Sequence, residues 1–151
     1  MTSPLEFLEA AHKQAEEVAS ACILKVNRGR GEWTRHGPEI RDDLGHLVVK
    51  HTWPDEADHI VLHDPAAVLR RIAAERKILA EHQAEREASL PIHDRCSDPK
   101  CDCYDYVATC GTCAPSNYYD AEPVPWPCAT VRLLAEAWGW QELSPQAAGE
   151  G

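Results

Sequence analysis

The chain has 151 residues, with 25 acidic against 15 basic side chains and a formal net charge of −10. Such a balance excludes a general binder of phosphate backbones, whose affinity comes from clustered Lys and Arg. No run of 18 apolar residues is present, so no membrane span is expected.

The first residues predict a helix over 3–22. Ser3, Pro4 and Glu6 spell a capping box with proline at the first helical position. Leu5, Leu8, Ala11, Ala15, Val18, Ala19 and Cys22 then recur on one face. The opening segment has no basic stretch followed by an apolar one, and a cytoplasmic location is expected.

Residues 23–53 change period. A short segment at Glu32–Arg35, a His36-Gly37-Pro38 turn, Glu39–Arg41, an Asp42–Gly45 turn and His46–His51 predict a small antiparallel sheet of two or three strands. Pro54 begins a short helix to about Leu62. Asp64 as N-cap and Pro65 at the next position open a longer one, whose stripe is Val68, Leu69, Ile72, Ile78 and Leu79. His82 closes it on the buried side. The segment after His82 continues that helix or frays, and residues 91–127 read as irregular. A last helix starts at Pro127, with Cys128 in its first turn, and runs to about Trp138. Residues 144–151 read as a disordered tail after a single domain over 1–143.

Cysteine carries most of the chemistry. Six of the seven fall between Cys96 and Cys128. The number is odd and no export signal is visible, so metal binding is favoured over a disulfide framework. Cys110-Gly111-Thr112-Cys113 is a knuckle that can grip one tetrahedral ion. Cys128 at a helix start and His82 at a helix end complete a Cys3His set of the kind that holds structural zinc. His93, Cys96, Cys101 and Cys103 form a second set that could take another zinc or remain free thiols. The knuckle also fits a redox motif, which needs a strand before it and a helix opening at its first cysteine.

His59 and His63 stand four apart with Asp64 next in sequence. They are the candidates for a metal-dependent hydrolase or nuclease, and the same residues read equally as packing and capping groups at a kink between helices. A third reading, from the charge alone, is an acidic mimic of nucleic acid. The expected class is α+β: an N-terminal helix, a small antiparallel sheet, a long central helix and a C-terminal helix, clamped by a zinc-binding loop. The leading function is a non-catalytic accessory protein. It would bind a macromolecular partner, not nucleic acid and not membrane, through aromatics such as Tyr118, Tyr119, Trp138 and Trp140.

The segments HDPAAVLR, KILAEH, CGTC and WPCATVRLLA resemble a family of small uncharacterised proteins of actinobacteria and their phages, catalogued as a domain of unknown function. The resemblance runs from the first helix to Trp138. It implies motif positions at His59, His63, Asp64, His82, Cys110, Cys113 and Cys128, and it makes residues 93–105 a local addition. Family members end in a YADHPDY-like tail, where this chain has WGWQELSP. It also implies a cytoplasmic, often phage-borne, accessory role with a host or phage protein as partner.

Overall fold

The computed structural model describes residues 2–26, 29–91, 104–113 and 124–141. Its elements are α1 (Pro4–Val26), β1 (Trp33–His36), β2 (Glu39–Asp42), β3 (Leu47–Val49), α2 (Pro54–Leu62), α3 (Pro65–Glu81), β4 (Ala84–Pro91), β5 (Tyr104–Cys110) and α4 (Ala129–Ala137). The fold is α+β. Four helices accompany an antiparallel sheet in the order β1-β2-β3 and a two-stranded antiparallel ribbon, β4-β5. The chain divides into two compact units: Glu9–Arg76, and Met1–Leu8 with Lys77–Gly151.

The capping box forms as its residues dictate. Ser3 Oγ accepts the Glu6 N–H, and Glu6 Oε2 accepts the Ser3 N–H. Helix α1 runs four residues past Cys22, because no breaker occurs before Gly29. Its buried line is Leu8, His12 and Ala19, while Val18 is exposed. The apolar stripe is therefore narrower than its spacing predicts, and it carries a histidine.

In the unit Glu9–Arg76, hairpin turns set the sheet. Gly37 and Gly45 adopt φ of +62° and +83°, conformations that cost glycine little. Buried Asp42 organises the second turn: its Oδ1 accepts the N–H groups of Leu44 and His46, and its Oδ2 meets the His46 ring. Burial works against ionising Asp42, yet these donors hold its carboxyl below the usual range. Ile40, Ala57 and Ile72 are buried in this unit. The His12 ring lies 2.6 Å from the Glu75 carboxylate on α3. One turn away, Arg76 pairs with Glu16.

The other unit departs most from expectation. The segment after His82 is a strand, not a helical continuation. Part of the stretch expected to be irregular is its partner β5. Their antiparallel register sets Ala84 opposite Cys110 and Pro91 opposite Tyr104. On the other side of β5, Thr109 bridges Pro125, Cys110 N–H donates to Val124 O, and Trp126 N–H donates to Ala108 O. Helix α4 begins at Ala129, two residues later than predicted, so Cys128 is its N-cap and not part of its first turn. The Trp126–Pro127 peptide is cis. The predicted tail, 144–151, lies outside the described residues.

A candidate metal centre of three cysteines and one histidine

Strand β5 is the organising element of the site. Its register with β4 draws the end of α3, and with it His82, alongside Cys110. Its bonds to residues 124–126 deliver the start of α4, and with it Cys128. The turn Gly111–Cys113 then folds back toward α3. Gly111 N–H donates to Gln83 O, and the Thr112 hydroxyl donates to Glu81 O. All but the Thr112 hydroxyl contact are ordinary backbone pairing, and together they turn four side chains toward one point.

At that point His82 Nδ1 lies 3.6 Å from Cys110 Sγ, 3.4 Å from Cys113 Sγ and 3.6 Å from Cys128 Sγ. All four ligand atoms lie within 4.8 Å of one another. One imidazole nitrogen has a single proton or a single lone pair, so it cannot bond three sulfurs at once. A shared central ion accounts for all three distances. Zinc held at about 2.3 Å from sulfur and about 2.05 Å from nitrogen in a tetrahedron sets each N···S edge at about 3.6 Å. The residues present therefore fit a zinc ion.

The surroundings favour thiolate. Cys110 and Cys128 are fully buried and pack with Val131, bordered by Leu5, Leu79, Val124 and Trp126. All three cysteines of the cluster are free thiols, not disulfides. Burial raises the Cys128 thiol, but the Val131 N–H at the start of α4, the two neighbouring thiols and His82 outweigh it and draw the value down to about 7. No capping hydrogen bond of ordinary geometry forms there, so the Val131 N–H acts as a nearby dipole. Cys113 moves the other way: burial, then the adjacent Cys110 and Cys128, push it up to about 11. Without a cation, then, Cys128 holds a thiolate readily and Cys113 resists one. A bound zinc ion would supply the positive charge that stabilises three thiolates.

The remaining candidates are placed differently. The rings of His59 and His63 lie 4.6 Å apart, and Arg71 Nη2 is 3.2 Å from His63 Nδ1. A guanidinium at that nitrogen opposes a second cation. Asp64 caps α3: Oδ1 accepts the Ala67 N–H and Oδ2 accepts the Trp33 N–H. Among the described residues, these three join no group of three or more metal-ligating side chains. His93, Cys96, Cys101 and Cys103 lie outside the described residues, as do Tyr118 and Tyr119. The knuckle does follow a strand, as a redox motif requires, but Gly111–Cys113 is a turn and no helix opens at Cys110.

Sequence reasoning missed Thr112, Gln83 and Val124, which dock the knuckle on both sides. Only the β-branched and aromatic run YDYVATC before the knuckle carries a signal for this arrangement, since it favours a strand.

A family model described as a family of unknown function, DUF6221, matches residues 1–139. The chain belongs to DUF6221. The match spans all four metal-ligating candidates of this DUF6221 chain. Neither the curated proteins nor the solved structures gave a match.

Proposed function

We propose that this DUF6221 protein is a zinc-stabilised, non-catalytic accessory protein of the bacterial or phage-infected cytoplasm, acting by binding a protein partner. His82, Cys110, Cys113 and Cys128 hold one zinc ion. The reading rests on the three N···S distances of 3.4–3.6 Å, which reproduce the edges of a zinc tetrahedron. Four protein ligands leave no open position for water or substrate, which is the character of a structural site. Zinc joins the end of α3, the knuckle after β5 and the start of α4, and so stabilises a segment with little apolar surface of its own. The non-catalytic role is supported by this closed ligand set.

The test is metal analysis of purified protein, followed by thermal unfolding with and without chelator. Bound zinc, and a clear fall in melting temperature once it is stripped, are expected. A metal-free protein whose unfolding ignores chelator rejects the zinc reading. Affinity capture from the native host, returning no protein retained after salt washing, rejects the partner reading.

A further inference from the structure

The three sulfurs of the centre are not equivalent. Cys110 and Cys128 are fully buried, whereas Cys113 is partly open to solvent. Of the three ligand cysteines it is the one with any solvent exposure. Its neighbour in the knuckle, Cys110, lies three residues back, and their sulfurs are within 4.8 Å. Cys128 Sγ lies within the same distance but belongs to a separate element, the N-cap of α4, whereas Cys110 and Cys113 share one turn.

We propose that Cys113 is an oxidative modification site for hydroperoxides, with Cys110 as its resolving partner, so that peroxide ejects the metal and releases the knuckle. This rests on the zinc reading above. The Cys113 thiolate attacks one peroxide oxygen; a sulfur–oxygen bond forms, the O–O bond breaks, and hydroxide leaves to become water. The Cys110 thiolate then attacks the Cys113 sulfur; the disulfide forms, the sulfur–oxygen bond breaks, and a second hydroxide leaves. Two thiolates lose two electrons in total, and one hydrogen peroxide becomes two waters after taking two protons. His82 and Cys128 alone cannot hold the ion firmly. Cys22, a partly exposed free thiol outside the cluster, serves as the internal reference for general oxidation.

The experiment uses full-length zinc-loaded protein, hydrogen peroxide, a chromogenic zinc chelator and peptide mass mapping. Release of the zinc is expected together with a Cys110–Cys113 disulfide, both reversed by dithiothreitol and added zinc. Zinc still bound when Cys22 is oxidised overturns the proposal, as does a disulfide that includes Cys128. Protein that carries no zinc before peroxide overturns the zinc reading as well, which separates the two failures. A Cys113→His variant keeps a ligand that cannot form a sulfenate; it is expected to hold zinc through peroxide treatment. Release from that variant at the wild-type rate also overturns the assignment, and if it fails to load zinc, the wild-type mapping decides.

Discussion

Asp64 accepts the backbone N–H of Trp33 at 3.1 Å and so fastens the first residue of β1 to the start of α3. Its other oxygen accepts the Ala67 N–H at 2.6 Å. One buried carboxylate thus satisfies a strand donor and a helix donor together. Removing it leaves both without their acceptor. Asp64→Ala is expected to cost about 1–3 kcal/mol. Urea unfolding measures this; an unchanged midpoint would contradict the capping role.

Gly31 combines two constraints. Its φ is +80°, and a Cβ there would lie 2.7 Å from the Ile23 side chain and 3.2 Å from Pro65. Its carbonyl also accepts the Ala66 N–H at the start of α3. Gly31→Ala therefore adds left-handed strain to a steric conflict, and a loss of about 1–3 kcal/mol is expected. Gly37 isolates the strain alone, since its φ is +62° and a Cβ there would meet nothing within 4 Å. Gly37→Ala should lose less, and equal losses at the two positions would show that packing at Gly31 is unimportant.

Cys113→Ser removes one sulfur of the proposed zinc set. Zinc content should fall to near background, and the variant should melt where the chelator-treated wild type melts. A variant with zinc bound and wild-type stability would mean that Cys113 is not a ligand.

The metal-free protein should show a stability maximum in mildly alkaline solution. Cys128 is drawn down to about 7 in the fold. A depressed value contributes stability above the unfolded pKa, and that contribution is lost as pH falls through about 7. Cys113 is pushed up to about 11. A raised value contributes stability below the unfolded pKa, and that is lost as pH rises toward about 11. With unfolded thiols near about 8.5, stability should climb from about pH 7 to about 8.5 and decline beyond it. Chemical denaturation in chelator across that range checks the shape. Cys128→Ser should flatten the rising limb, and a rise that survives the substitution would assign it to another group.

Much of this was legible in the residues. Ser3 and Glu6, Asp64 and Pro65, and the turn at Asp42–Gly45 act through local hydrogen bonds, so their spacing reports their structure. The spacing of cysteines and a helix-end histidine likewise marked the four side chains that converge. The ribbon was not legible. Ala84–Pro91 is AEREASLP, a composition that suits a helix, and it becomes a strand only through pairing with β5. Periodicity also cannot reveal a polar group inside an apolar stripe. His12 sits at a buried position because Glu75 on a distant helix supplies its partner at 2.6 Å. The placement of Cys128 at the N-cap, not within the first turn, was a two-residue boundary matter of the kind that tertiary contacts decide.

The alignment of Ala84 with Cys110 has a consequence for how this chain can change in length. The site is closed at the base of a hairpin, while Pro91 and Tyr104 pair at its far end. Twelve residues, 92–103, connect them and supply none of the four converging atoms. A change in the length of that connection is expected to spare the base pairing, whereas one residue inserted between Thr109 and Cys110 would turn the Cys110 side chain to the opposite face of β5.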